Sequence, residues 1–173
     1  MENCEQGLDV FPWLRILPRW IFGAAEIGLA VYLVITFHLD IGLVYCAYWV
    51  FSLLVLLPLL RCTKCYYHGK RCSSGWGIYS GFIFPQGEQV YFQAGYGFTI
   101  LLWPLRLAPI GLGLLNLMDG VVFNPDGLFG IYIAVIIIHR LYYRLISCPA
   151  CCQKETCPVY NSAVLGKQKS ARQ

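Results

Sequence analysis

The chain has 173 residues, of which 58% are hydrophobic and 13% are charged, and its formal net charge is +4 at pH 7. A soluble domain of this length cannot bury so much apolar surface, because small folds keep a large share of their surface exposed. The composition therefore excludes an ordinary soluble globular domain. It predicts an all-α integral membrane protein whose principal partner is the lipid bilayer.

Residues 1–19 are expected to form an N-terminal segment in the cytoplasm or at the membrane interface. This segment contains Glu2, Glu5 and Asp9, and no small-residue cleavage site precedes the first apolar run. A cleavable signal peptide combines a basic start, an apolar stretch and such a cleavage site. The pattern is therefore not that of a cleavable signal peptide.

Four apolar stretches approach the length of about 20 residues that a helix needs to cross a bilayer. They occupy residues 20–37, 41–60, 92–117 and 128–146. Three residues separate the first two stretches, and an Asn-Pro-Asp-Gly turn at 124–127 separates the last two. We therefore predict two transmembrane hairpins, 20–60 and 92–147. A connector, 61–91, lies between them, and a tail, 148–173, follows them.

Two cysteine clusters follow the second and fourth predicted spans. The first cluster comprises Cys62, Cys65 and Cys72, and the second cluster comprises Cys148, Cys151 and Cys157. Each begins with a Cys-x2-Cys turn, whose two thiolates can bind one metal ion, and two such turns complete a tetrahedral shell. The spacing predicts a metal site formed by the two turns, with Cys72 and Cys157 as further candidate ligands.

The sequence from Cys148 to Cys151, Cys-Pro-Ala-Cys, resembles the knuckle turn of zinc ribbons, although Cys152 stands where those turns usually have glycine. The resemblance implies zinc as the metal. An iron–sulfur cluster remains an alternative, because four thiolates suit either cofactor. Palmitoylated or unligated thiols, and thiols with a redox role, are the other interpretations left open.

Charge orients the predicted bundle. Every Lys and Arg except Arg106 falls on the side of the cysteine clusters. The opposite loops contain no Lys or Arg, and their acidic residues are Asp40, Asp119 and Asp126. The positive-inside rule then places both termini and both cysteine clusters in the cytoplasm. Because that compartment is reducing, we expect no disulfide framework there. The basic residues flank the membrane and do not indicate nucleic-acid binding.

The two halves share one plan, a hairpin followed by a cysteine cluster, which suggests a parallel internal repeat. Metal binding at the ends of the second and fourth helices would tie the two hairpins together. Within the connector, residues 73–91 mix glycine with aromatic residues. This composition predicts an interfacial segment that lies on the cytoplasmic membrane surface between the hairpins.

Glu26 and Arg106 are the ionisable residues that lie well inside predicted spans. A charged side chain at the bilayer centre costs roughly 2.5–3.5 kcal/mol on insertion scales, so pairing would relieve both residues. A structural ion pair that fixes helix register is one interpretation. The other is a polar site for an anionic ligand or a proton path.

These features together predict a structural, accessory or assembly subunit of a larger membrane complex, with other membrane subunits as partners. The cysteines in excess of four ligands motivate an alternative, a redox protein that passes electrons or thiol equivalents. A transporter or metal-handling protein is a third interpretation. Whether the chain is an enzyme stays open, although it lacks the P-loop, His-Glu-x-x-His and Gly-x-Ser-x-Gly motifs.

Overall fold

The computed structural model describes residues 7–97, 101–118, 126–154, 157 and 160. Within these residues the regular structure is helical, with one isolated β-bridge between Leu8 and Cys151. The α-helices are α1 (Trp13–Phe37), α2 (Leu39–Phe51), α3 (Leu57–Leu60), α4 (Trp76–Ile83), α5 (Phe92–Gly97), α6 (Pro104–Met118) and α7 (Asp126–Tyr142). A π-helical turn, Ser52–Leu56, continues α2 into α3, and a second one, Tyr143–Ser147, extends α7. The predicted all-helical class is confirmed.

Among the described residues, three helical stretches are long and apolar enough to cross a membrane. They are Trp13–Phe37, Leu39–Lys64 and Gly127–Ser147. Many of their large apolar side chains, including Leu14, Val44 and Leu145, point away from the protein. Such outward apolar surface suits contact with lipid, where helices satisfy their own backbone hydrogen bonds. These stretches correspond to the first, second and fourth predicted spans.

The third predicted span, 92–117, does not form one long helix. α5 ends at Gly97, and α6 begins only at Pro104. Proline suits the first position of a helix, and it disfavours helical backbone at the residue before it. The 15 residues of α6 fall short of the length of about 20 that a span needs. The arrangement of four spans in two alike hairpins, and the internal repeat, are therefore not confirmed.

α1 packs against three other helices. It is joined to α2 at His38 and contacts α2, α6 and α7. Gly42 of α2 allows the close approach, because a Cβ atom there would collide with Ile35 of α1. The main buried core lies between these helices and consists of Ala30, Val34, Tyr45, Trp49, Leu105 and Tyr132. This packing directs one face of α1 toward three neighbouring helices.

Candidate thiol site and the cavity beside it

The two cysteine clusters lie next to each other although 75 residues, 73–147, separate them along the chain. The thiol of Cys65 donates a hydrogen bond of 2.8 Å to the side-chain oxygen of Gln153. The hydroxyl of Tyr67 donates to the carbonyl oxygen of Leu8 at 2.6 Å and accepts from the backbone N–H of Cys152 at 3.0 Å. Tyr67 therefore links both clusters to the N-terminal segment.

The N-terminal segment crosses both clusters. The N–H of Leu8 donates to the carbonyl of Ala150 at 2.8 Å, and the N–H of Phe11 donates to the carbonyl of Arg71 at 3.0 Å. Phe11 is fully buried and packs edge-on against Tyr67, with 5.6 Å between ring centroids. Sequence analysis did not predict this role, because single backbone hydrogen bonds have no residue-type signature.

The oxidation states of the sulfurs differ from the expectation. Among the described cysteines, seven are free thiols and Cys152 is disulfide-bonded. The expectation of no disulfide framework was inferred from the compartment alone, which says nothing about which sulfur atoms are neighbours. It does not hold for Cys152. All six predicted ligands are free thiols.

A cavity of about 420 Å³ lies between the helices and the clusters. We call it the thiol cavity, since five cysteines line it: Cys62, Cys65, Cys72, Cys151 and Cys157. The sixth predicted ligand, Cys148, is buried and is not among its lining residues. The structure thus gathers five of the six predicted ligands around one space, and these come from both clusters.

The thiols are neighbours, but they are not assembled into a coordination shell. In the part of the chain that the structure describes, no group of three or more Cys, His, Asp or Glu side chains is placed to hold a metal ion. Burial raises the pKa of Cys148 to about 11, and burial likewise raises the pKa values of Cys65 and Cys151. These thiols are therefore protonated at neutral pH, and a metal would have to displace their protons.

Glu26 of α1 forms the centre of a hydrogen-bonded triad. Arg106 Nε of α6 donates to Glu26 Oε1 at 2.5 Å, and His139 Nδ1 of α7 lies 2.7 Å from Glu26 Oε2. Glu26 itself is buried. The structure thus brings the two intramembrane candidates together. His139 was not predicted as the third member, although an ionisable residue near the end of an apolar stretch is a signal of such a role.

The triad and the thiols share the cavity. Glu26, Arg106 and His139 line it as well, and its wall also includes apolar side chains of α1, α2 and α6. The cavity therefore extends from a group of thiols to the triad within the predicted spans. The thiols are soft donor groups, and the triad contains the ion pair of Glu26 and Arg106.

No family model, no curated protein and no solved structure matches this chain. The class of protein is therefore defined by its own fold and site. Over the residues that the structure describes, it is an all-helical protein with three helices of membrane-spanning length and a cavity lined by thiols.

Proposed function

We propose that this chain is a small multi-pass membrane protein that binds a metal ion through the thiols of its cavity, with zinc favoured over an iron–sulfur cluster. One observation carries the proposal: cysteines from two distant segments converge on a single cavity. Thiolates are soft ligands that select zinc, copper(I) and iron–sulfur clusters. In this proposal the cysteine-bearing end is cytoplasmic, as the distribution of basic residues favours.

The role that we propose for the metal is structural. The first cluster follows α3, and the second cluster follows the π-helical turn that extends α7. A metal ion shared by both clusters would join the ends of two membrane-length helices. In lipid there is little hydrophobic force between helices, so such a crosslink would stabilise their association. A protein of this kind suits an accessory or assembly role in a membrane complex.

Two arginines support thiolate ligation at this place. Arg19 and Arg61 line the cavity together with the cysteines. A zinc ion with four thiolates carries a net negative charge, and nearby guanidinium groups offset it. The thiols would have to rotate toward the ion and release their protons when it binds.

Metal content of the purified protein tests the proposal. Protein prepared without oxygen should contain close to one zinc per chain, measured by atomic emission. The changes Cys65→Ser and Cys151→Ser, one in each cluster, should each reduce the content strongly. Cys46→Ser is the matched control, since this thiol lies in α2 and does not line the cavity. Metal-free native protein, or a full load in both cluster variants, would refute the proposal.

A second candidate function is thiol redox chemistry, and one observation favours it. Cys152 is disulfide-bonded beside Cys151, whose thiol is free and lines the cavity. A protein that passes thiol equivalents needs both states within reach of each other. Counting free thiols with maleimide in protein from oxidised and reduced cells distinguishes the two functions. A reversible change of two thiols in metal-free protein would favour the redox function.

A further inference from the structure

The disulfide of Cys152 requires a partner sulfur that the other described cysteines do not supply. The sequence contains nine cysteines, and seven of the described ones are free thiols. Cys152 is the eighth, and it is disulfide-bonded. The ninth is Cys4, which lies outside the described residues. A disulfide within one chain joins two of its own sulfur atoms, so elimination leaves Cys4 as the partner of Cys152.

The described part of the N-terminal segment lies where this pairing requires it. The sulfur atom of Cys152 lies 3.2 Å from the carbonyl oxygen of Leu8. Leu8 also forms the isolated β-bridge with Cys151, and its N–H donates to the carbonyl of Ala150. Only a few residues separate Cys4 from Leu8, and an extended chain spans up to roughly 3.3–3.6 Å per residue. Cys4 is therefore within reach of Cys152 while these contacts are kept.

The same segment covers thiols of the cavity. Phe11 is fully buried and forms an apolar cluster with Tyr67 and Cys72. Cys65 and Cys151 pack against this cluster. The backbone hydrogen bonds that hold the segment each contribute little net free energy in water, so by themselves they permit local opening. A covalent link at its start would keep the segment in place.

We propose that a disulfide between Cys4 and Cys152 is a redox-controlled latch that holds the N-terminal segment over the thiol cavity. Cys152 is partly exposed, so a dithiol reductant, either a small molecule or a protein, can attack this disulfide. One thiolate of the reductant forms a mixed disulfide with the chain, and its second thiol then displaces the chain's sulfur. Two electrons and two protons pass to the chain, which gains two thiols, and the reductant becomes a disulfide. The reverse exchange closes the latch again.

The proposed cytoplasmic location gives this disulfide a sensing role. In a reducing compartment, disulfides are usually transient and report on the redox state. The latch differs from the second candidate function, in which thiol equivalents pass to another molecule, because here the exchange changes only access to the cavity. It is also independent of the proposed metal, since neither Cys4 nor Cys152 is among the predicted ligands.

Peptide mapping under non-reducing conditions tests the pairing. The purified protein is incubated with glutathione disulfide, its free thiols are blocked with N-ethylmaleimide, and the digest is analysed by mass spectrometry. We expect one linked pair of peptides, which contains Cys4 and Cys152, and seven alkylated cysteines. Any other state of Cys152, including a link to a second copy of the chain, would overturn the proposal.

Alkylation rates at single sites test the latch itself. Chelator-treated protein reacts with N-ethylmaleimide before reduction, or after reduction and removal of dithiothreitol, and mass spectrometry follows Cys65 and Cys151. Reduction should raise both rates about tenfold or more, because the disulfide closes a loop that comprises most of the chain and strongly restrains its ends. Cys4→Ser should show the higher rates in both conditions. Cys46→Ser is the matched control and should keep the dependence on reduction, since this thiol does not line the cavity.

Three outcomes would overturn the latch. The first is equal rates in the oxidised and reduced native protein. The second is a dependence on reduction that survives in Cys4→Ser. The third is a rise at Cys46 in the native protein as large as that at Cys65 and Cys151, which would show that reduction loosens the whole fold. Because the protein is free of metal throughout, a failure of the metal proposal leaves these results interpretable.

Discussion

The two ends of the thiol cavity differ in whether their polar groups are assembled with partners. At the triad, the carboxylate of Glu26 has two partners at hydrogen-bond distance, from two other helices. At the cysteine end, five thiols surround one space, and no three described ligand side chains are positioned to hold a metal. The triad is satisfied by the chain alone, whereas the described thiols are neighbours without a coordination shell.

The physical chemistry of the two groups explains this difference. A carboxylate in a low-dielectric bundle must be paired, because a buried ion without a partner is very unfavourable. A thiol avoids that problem by remaining protonated. Burial raises the pKa values of Cys65 and Cys151, so neither needs a partner for its charge in the free protein. Buried thiols can therefore lie together without a metal, whereas the buried carboxylate of Glu26 needs Arg106 or His139 as a partner.

The largest effect should follow from removal of the shared carboxylate. Glu26→Gln leaves Arg106 without its ion-pair partner, so we expect the free energy of unfolding to fall by about 3 kcal/mol. This value is at the lower end of the range for broken buried ion pairs, because the side chain of Arg106 is partly exposed. Unfolding in detergent measures it. Asp40→Asn is the matched control, since this carboxylate at the start of α2 is exposed and should change little.

The third member of the triad sharpens this prediction. Arg106→Gln should cost less than Glu26→Gln, because His139 still contacts the carboxylate. The double variant Glu26→Gln with Arg106→Gln should recover part of the loss, since no ion then remains unpaired. Strictly additive losses in the four-variant cycle would show that the two residues are not energetically coupled.

Two members of the triad, Glu26 and Arg106, could be predicted from the sequence, but the third member, His139, could not. Glu26 and Arg106 stand out because ionisable residues are rare in apolar stretches. Their depths could not be matched from sequence, since the start of α6 at Pro104 was not predicted. His139 could face the bundle or the interface, and only the packing of α7 on α1 decides between them.

For the cysteine clusters, the sequence predicted the location but not the contacts. Cys-x2-Cys spacing after two apolar runs predicted that the clusters lie at helix ends, and the structure brings them together there. The contacts that join them could not be predicted. The hydroxyl of Tyr67 donates a hydrogen bond to the carbonyl of Leu8 and accepts one from the N–H of Cys152. Such contacts depend on the tertiary fold.

Metal addition should affect the cysteine end and leave the triad unchanged. Zinc at 100 times its dissociation constant should stabilise the protein by about 2.7 kcal/mol, if it binds the folded state alone. Thermal unfolding with zinc and then with a chelator measures this gain. Cys65→Ser should abolish it, and Cys46→Ser should retain it. An equal zinc effect in both variants would place the metal elsewhere.

Close backbone packing beside the first cluster should produce the next effect. The N–H of Gly77 in α4 contacts the thiol of Cys72 at 3.3 Å, and a Cβ atom at Gly77 would collide with the carbonyl oxygens of Tyr67 and Lys70. Gly77→Ala should therefore destabilise the protein by roughly 1–3 kcal/mol.

Gly28→Ala provides the matched control for this change. Gly28 lies in α1 with open space at its Cβ position, so alanine should stabilise the helix there by up to about 1 kcal/mol. Chemical unfolding of both variants measures the difference. Stabilisation by both substitutions would mean that α4 does not pack tightly on the first cluster.

The smallest effect should come from an exposed contact that fastens the N-terminal segment over the first cluster. Asp9 Oδ1 accepts hydrogen bonds from the Tyr66 hydroxyl at 2.5 Å and from Lys70 Nζ at 2.9 Å. The bond from Tyr66, followed by that from Lys70, lowers the pKa of Asp9 below its usual 3.8. Because the folded-state pKa is the lower one, this contribution to stability is fully present above about pH 4 and is lost as the pH falls through the folded-state pKa. Melting temperatures recorded from pH 6 to pH 3 should therefore fall slightly less for Asp9→Asn than for the native chain, since the asparagine has no proton to take up. Identical slopes for the two proteins would show that the contact contributes nothing in solution, as many exposed ion pairs do.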